Sequence, residues 1–111
     1  IKDVPKLQIE LQMEEDVSVD DVHTAHALLR CVQESITNTL KHSNANRAKI
    51  SVVERAGVLQ LTYEDNGQGC LDLKFGNGLK GMRERLEQVG GELVLESDPQ
   101  ITMRALAPLA R

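Results

Sequence analysis

The chain has 111 residues, and its 13 Lys and Arg against 17 Asp and Glu give a formal net charge of −4. This length predicts a single domain with its own core. The acidic balance, the absence of Trp and the presence of only one Tyr and one Phe argue against a nucleic-acid-binding surface. No apolar run reaches membrane-spanning length, so we expect no direct membrane contact.

The termini and cysteines suggest where such a domain belongs. The chain begins at Ile1 rather than at Met, so we expect residues 1–111 to be one domain cut from a longer protein. Cys31 and Cys70 show neither a C-x-x-C nor a Cys/His metal-ligand spacing, which is typical of free thiols in a reducing compartment. We therefore expect a cytoplasmic domain, whose parent protein can still be membrane-anchored.

The N-terminal part predicts a strand and then a long helix. Apolar residues alternate with polar ones from residue 7 to residue 13, which indicates a half-buried strand. Asp20 and Asp21 offer N-cap oxygens for the helix that follows. Apolar residues recur in that helix at spacings of three and four, which predicts one buried stripe. Its members are Ala25, Leu28, Leu29, Val32, Ile36 and Leu40.

Polar residues share another face of the same predicted helix. At about 100° per residue, Glu34, Asn38, Lys41 and His42 fall close together. The pattern is compatible with an ordinary solvated face. It is also compatible with a site, since Glu34 and Asn38 place a carboxylate and a carboxamide one turn apart and on the same side.

The rest of the chain predicts further strands and one more helix. Two alternating segments around a turn at residues 55–57 indicate a hairpin whose second strand leads to Asp65. Apolar residues at positions 79, 82, 86 and 89 indicate a second amphipathic helix, which the two glycines that follow end. Residues 92–97 and 102–107 read as the last strands. Helices and strands mix without strict βαβ alternation, which favours a two-layer α+β sandwich with helices on one face of the sheet.

Two glycine clusters admit more than one interpretation. Residues 65–67, DNG, suit a type I′ hairpin turn. Residues 76–81, GNGLKG, match the dinucleotide-binding pattern G-x-G-x-x-G, and Glu96 lies 20 positions after Gly76. However, charged residues interrupt the segment before the second cluster, so it makes a poor buried parallel strand. The dinucleotide reading also gives no role to the polar face of the first helix.

One family resemblance uses all of these features. Residues 30–42, RCVQESITNTLKH, resemble the N-box of histidine-kinase ATP-binding domains, in a form similar to nitrate/nitrite-type sensor kinases. Residues 65–69, DNGQG, resemble the family's first glycine box, and residues 76–85, GNGLKGMRER, resemble the second. The order and spacing match from the first strand to Pro108. The resemblance implies the Bergerat α/β sandwich shared with gyrase-, Hsp90- and MutL-type ATPases, with a short lid at residues 70–75.

The resemblance implies a role for each matched residue. Asp65 would accept a hydrogen bond from the adenine amine, while Gly67 and Gly69 would let the backbone approach the base and sugar. Asn38 would offer its carbonyl oxygen to Mg²⁺, which takes few protein oxygens beside phosphate and water, and Glu34 would orient a metal-bound water. The positions implied to bind nucleotide are Asn38, Lys41, His42, Asp65, Gly67, Gly69, Gly76, Gly78, Leu79, Gly81 and Thr102.

Three of these positions need separate comment, two for their charge and one because the chain departs there from the family pattern. Lys41 and His42 would offset the charge of the triphosphate, and the N–H groups that open the second helix would meet phosphate. Thr102 would reach the adenine edge. Relatives usually carry a glycine-rich G-x-G-T turn before the last strand, whereas this chain reads DPQIT at residues 98–102.

The implied function is that of the catalytic, ATP-binding domain of a two-component sensor histidine kinase. Such a domain binds Mg-ATP and donates the γ-phosphoryl group to a histidine on a separate dimerisation domain, and a response regulator acts downstream. None of His23, His26 and His42 lies in an acceptor motif, which predicts that the chain does not phosphorylate itself. The alternative is a non-catalytic, nucleotide-gated interaction module of the same fold.

Overall fold

The computed structural model describes residues 7–42, 44–67, 77–96 and 102–109. Within these residues the helices are α1, Val22–His42, and α2, Asn77–Gln88. The strands are β1, Gln8–Met13; β2, Arg47–Arg55; β3, Val58–Asp65; β4, Glu92–Glu96; and β5, Thr102–Pro108. Neither helix in this part of the chain combines the length and apolar character needed to cross a membrane.

The five strands form one mixed sheet in the order β1-β2-β3-β5-β4. β1 pairs with β2 in parallel, and the other neighbours are antiparallel. α1 packs on β3 and β5, α2 packs on β4 and β5, and the helices contact each other. The predicted two-layer α+β sandwich is therefore confirmed.

The core lies between the helix layer and the inward side chains of β2, β3 and β5. These strands alternate as expected, because successive side chains of a strand point to opposite faces of the sheet. Leu59, Met82 and Leu86 are the largest apolar side chains that are almost fully buried. The hairpin turn lies at Ala56 and Gly57, where both φ angles are positive, as type I′ geometry requires.

The first strand is present, but the prediction that it is half-buried was wrong. All six residues of β1 are exposed, including Ile9 at 45%, Leu11 at 62% and Met13 at 57%. Their register with the inward residues of β2 shows that they face the helix side of the sheet. They stay exposed because the helices pack on β3, β5 and β4, away from this edge.

The buried stripe of α1 also differs from the predicted one. Leu28 is buried as expected, whereas Leu29 is 53% and Leu40 is 48% exposed. The stripe that faces the sheet consists mainly of small residues, which allow a helix to lie close to its neighbour. Its members are Thr24, Ala27, Leu28, Cys31, Ser35 and Thr39. Burial raises the pKa of the Cys31 thiol to about 12, which keeps it protonated and unreactive.

The start of α1 is fixed by a side-chain cap. The Asp21 carboxylate accepts hydrogen bonds from the Thr24 backbone N–H at 3.0 Å and from the Thr24 hydroxyl at 2.8 Å. Of the two predicted cap residues, the structure therefore selects Asp21. The side-chain bond from Thr24, followed by the backbone bond, lowers the pKa of Asp21 below its ordinary value.

Candidate functional site

The Asp65 carboxylate is held at the end of β3 by bonds from two sides. Asp65 is 2% exposed. Its Oδ2 accepts a hydrogen bond from the Thr39 hydroxyl at 2.8 Å, and its Oδ1 accepts one from the Gly67 backbone N–H at 2.9 Å. The Thr39 hydroxyl is also 2.8 Å from the hydroxyl of Tyr63. A buried carboxylate is thus oriented by α1 and by the backbone that follows β3.

These bonds join two of the sequence motifs. Thr39 immediately follows Asn38, so its contact with Asp65 brings the end of β3 to the turn of α1 that carries the carboxamide. Glu34 lies one turn before Asn38, and both side chains are half-buried. The helix that carries the N-box motif therefore contacts the first residue of the first glycine box.

Arg30 lies beside Glu34. Its Nη2 is 3.4 Å from the Glu34 Oε1, and its Nη1 is 3.5 Å from the Gln33 Oε1. With the two side chains 37% and 23% exposed, the pair is worth only a few tenths of a kcal/mol, about 0.3–0.5, to stability. The contact therefore gives the Glu34 carboxylate only a slight preference for the side of the helix that carries Arg30.

Asn66 has a structural role that the sequence did not indicate. Its Oδ1 accepts hydrogen bonds from the backbone N–H groups of Asn46 and Arg47, both at 3.1 Å. Its Nδ2 donates to the Asn46 Oδ1 at 2.8 Å, and its backbone N–H donates to the Arg47 carbonyl. Asn66 thereby ties the start of β2 to the end of β3 and fixes the position of Asp65. The hairpin-turn reading of residues 65–67 was wrong, since both edges of β3 are already paired, one with β2 and the other with β5.

The direction of α2 places its first turn toward the site. A cleft of about 610 Å³ is lined both by Thr24 and Ala27 of α1 and by Arg85 and Gln88 of α2. The start of α1 therefore lies beside the end of α2, and the helices run in opposite directions. Asn77 precedes Arg85 by eight residues, or about 12 Å of helix. The N-terminus of α2 consequently lies toward the half of α1 that carries the polar residues.

The remaining predicted positions fall into four groups. Lys41 is exposed on the last turn of α1, and His42 is the final residue of that helix. Gly78, Leu79 and Gly81 belong to the first turns of α2. Thr102 is 8% exposed and is paired with Glu64, the residue before Asp65, so it lies on the strand next to the carboxylate. Gly69, Gly76 and the lid segment 70–75 lie outside the described residues, as does Cys70.

The comparison with known families decides among the interpretations. A family model described as "Histidine kinase-, DNA gyrase B-, and HSP90-like ATPase" matches residues 23–111. The chain belongs to this ATPase family. The resemblance recognised from the three motifs is therefore confirmed, and the dinucleotide-binding reading is excluded. The match also agrees with the expected Bergerat fold.

Similar proteins of this ATPase family include bacterial sensor kinases. The chain is 38% identical over 93 residues to sensor histidine kinase YvfT of Bacillus subtilis. The aligned region covers 83% of the chain and 25% of YvfT. It is 36% identical over 80 residues to the histidine-protein kinase/phosphatase DegS of Brevibacillus brevis, covering 69% of the chain and 21% of DegS. The chain thus spans about a quarter of the curated relatives that it matches.

Solved structures support the fold of this ATPase domain. The Acinetobacter baumannii histidine kinase AdeS superposes with a TM-score of 0.80 at 21% identity, over 96% of the chain and 56% of that structure. The ATP-binding domain of PrrB from Mycobacterium tuberculosis superposes with a TM-score of 0.74 at 22% identity, over 97% of the chain and 84% of that structure. At these identities the likeness establishes the architecture alone.

Sequence reasoning missed Thr39, Tyr63 and Asn66. Tyr63 lies in the alternating segment that leads to Asp65, and Thr39 lies between the matched positions of the N-box, so neither motif assigns a role to its hydroxyl. A buried polar residue needs a hydrogen-bond partner, so a hydroxyl on the sheet-facing side of α1 was the available signal. It was obscured because the aliphatic residues of α1 suggested a different buried face.

Proposed function

We propose that this chain is the ATP-binding, catalytic domain of a two-component sensor histidine kinase. It would bind Mg-ATP and donate the γ-phosphoryl group to a histidine on a separate helical dimerisation domain, with a response regulator acting downstream. The observation that carries the proposal is the buried Asp65 carboxylate, bonded at 2.8 Å to the residue after Asn38 in a chain of this ATPase family. Under this proposal the chain is one domain of a larger protein.

Asp65 supplies recognition of the base. An ionised carboxylate only accepts hydrogen bonds, so it matches the exocyclic amine of adenine and opposes a carbonyl oxygen at the same position. Gly67 contributes its backbone N–H to hold the carboxylate, and Thr102 on the neighbouring strand lies close enough in register to join this end of the site. We assign Gly69 to the same end on the basis of the family motif.

The polar face of α1 suits the phosphate end. Mg²⁺ usually keeps several waters and takes one or two protein oxygens together with substrate phosphates. Asn38 and Glu34, half-buried and one turn apart, fit that donor set. Asn38 would hold the ion, which would neutralise phosphate charge, and Glu34 would orient a water. Lys41 and His42 add positive charge at this end, and Gly76, Gly78, Leu79 and Gly81 belong to the segment that opens α2 toward phosphate.

The transfer itself needs little covalent chemistry from this chain. The lone pair of a neutral imidazole nitrogen forms the new N–P bond, while the bond from the γ-phosphorus to the bridging oxygen breaks and ADP leaves with the electron pair. The chain contributes positioning and charge neutralisation, which dominate phosphoryl transfer. No base in the chain has to remove a proton before the attack.

Calorimetric titration with β,γ-imido-ATP tests the binding site. We expect binding that requires Mg²⁺ in wild type, loses most of that requirement in Asn38→Ala, and weakens by roughly 10- to 100-fold in Asp65→Asn, since a hydrogen bond to a charged group is worth about 1.5–3 kcal/mol. Thr37→Ala, an exposed change on the same helix, serves as the control. Binding that ignores both Mg²⁺ and Asn38 would contradict the metal assignment.

Labelling with γ-labelled ATP tests the reaction. We expect no label on the chain alone and transfer to a histidine-bearing dimerisation domain added in trans. Label on the chain that disappears when His23, His26 or His42 is replaced would contradict the proposed division of labour. Tight Mg-ATP binding without transfer in trans would favour the nucleotide-gated interaction module instead.

A further inference from the structure

A directed series of hydrogen bonds ends at the Asp65 carboxylate. Tyr63, Thr39 and Asp65 are 3%, 1% and 2% exposed. The Thr39 hydroxyl has a single proton, which it donates to the Asp65 Oδ2 at 2.8 Å. Its 2.8 Å contact with Tyr63 must therefore use a proton donated by the Tyr63 hydroxyl. The order of donation is Tyr63 to Thr39 to Asp65.

The protonation state of the Tyr63 phenol agrees with this order of donation. Burial raises the pKa of Tyr63 above the ordinary value of 10.0, the hydrogen bond between the Tyr63 and Thr39 hydroxyls opposes this shift, and the negative charge of Asp65 adds to it. The phenol therefore keeps its proton over the physiological range and can serve as the first donor. Hydrogen bonds arranged in series also polarise one another, which strengthens the bond that reaches the carboxylate.

We propose that Thr39 and Tyr63 are positioning residues that hold the Asp65 carboxylate in the orientation needed by an exocyclic amine on the nucleobase. The proposal rests on the proposed function, because it deepens the role of Asp65 in nucleotide binding. Thr39 fixes one carboxylate oxygen from α1 and Gly67 fixes the other from the backbone, so the plane of the group cannot rotate. The contribution of Thr39 is consequently specific to ligands that donate to this carboxylate.

Packing alone does not account for a hydroxyl at position 39. A valine would fill nearly the same volume, and a buried hydroxyl is unfavourable unless it is hydrogen-bonded. Both partners of the Thr39 hydroxyl lie on β3, 24 and 26 residues away along the chain. The hydroxyl therefore links the N-box helix to the base-reading carboxylate by a contact that an apolar residue cannot make.

The experiment compares two nucleotides that differ only in the amine. The 111-residue chain is titrated with β,γ-imido-ATP and with the β,γ-imido triphosphate of purine riboside, which lacks the 6-amino group. Thr39→Val should weaken binding of the adenine nucleotide about 10-fold, since it removes one hydrogen bond to a charged group. It should change the affinity for the purine nucleotide by less than about twofold. Thr39→Ser, which keeps the hydroxyl, should bind both nucleotides with wild-type affinity. Tyr63→Phe should weaken binding of the adenine nucleotide alone, by about threefold.

Thr37→Val is the matched control, because Thr37 is exposed and lies two residues earlier on the same helix. It should change neither affinity. Equal losses for both nucleotides in Thr39→Val and Tyr63→Phe, or no loss for either, would overturn the positioning role. A wild-type chain that binds neither nucleotide would overturn the proposed function itself, and a wild-type chain that binds both equally would show that Asp65 does not read the amine.

Discussion

β1 and β3 carry the same alternation of apolar and polar residues, yet their inward side chains have opposite exposure. One row across the sheet shows the change, since Leu11, Ile50, Tyr63 and Met103 are in register. Their exposed fractions are 62%, 7%, 3% and 4%. The helices pack on β3, β5 and β4. Alternation therefore specifies which face of the sheet a side chain points to, whereas burial depends on where the second layer lies.

The largest expected difference between the two strands is in stability. Leu59 on β3 is 1% exposed, so Leu59→Ala should lower the free energy of unfolding by about 2–5 kcal/mol through lost burial and a residual cavity. Leu11→Ala on β1 should lower it by less than about 1 kcal/mol. Urea denaturation of both variants measures the contrast. Equal losses would mean that β1 is covered in solution.

A second contrast concerns two glycines in the helix-covered part of the molecule. A Cβ at Gly91, where the chain enters β4, would overlap the Leu106 carbonyl oxygen. Among the residues that the structure describes, a Cβ at Gly81 would meet only the Arg85 Nη1, at 3.7 Å. Gly91→Ala should lower the free energy of unfolding by roughly 1–3 kcal/mol. Gly81→Ala should leave it unchanged or raise it by up to about 1 kcal/mol. Thermal denaturation followed by circular dichroism distinguishes these outcomes.

The smallest expected effect is a pH dependence of stability, which arises from Tyr63 on β3. The pKa of Tyr63 is raised in the folded state, so its contribution to stability is complete below the unfolded pKa of about 10. That contribution is lost as the pH rises through the folded pKa. The melting temperature of Tyr63→Phe should therefore fall less steeply above pH 10 than that of wild type. Parallel curves for the two proteins would contradict the shift.

Much of the fold followed from local patterns. The period of two predicted β2 and β3, the period near 3.6 predicted both helices, and the paired glycines predicted the end of α2. Asp65, Glu34 and Asn38 were predicted as site residues because motif residues keep a fixed spacing along the chain, and their roles stay predictions. Each of these signals is contained within a short segment, so the element or motif could be recognised without knowledge of its contacts in the fold.

The features that escaped prediction depend on partners far away in the sequence. The Thr39 hydroxyl meets Asp65 26 residues later, and Asn66 bonds to backbone groups 19 and 20 residues earlier. The exposure of Leu11 and Leu29 likewise depends on how far the helix layer extends over the sheet. Periodicity within one element contains no information about any of these contacts.

Tyr63 is the single tyrosine of a chain without tryptophan. Excitation at wavelengths that phenylalanine does not absorb therefore produces ultraviolet emission from the Tyr63 ring alone. This ring lies two residues before Asp65, and both side chains hydrogen-bond to the Thr39 hydroxyl. We expect a ligand that hydrogen-bonds to the Asp65 carboxylate to alter the emission of Tyr63, once the absorbance of the ligand is corrected for. The molecule thus carries its own optical reporter, and no attached dye is needed to observe this corner of the sheet.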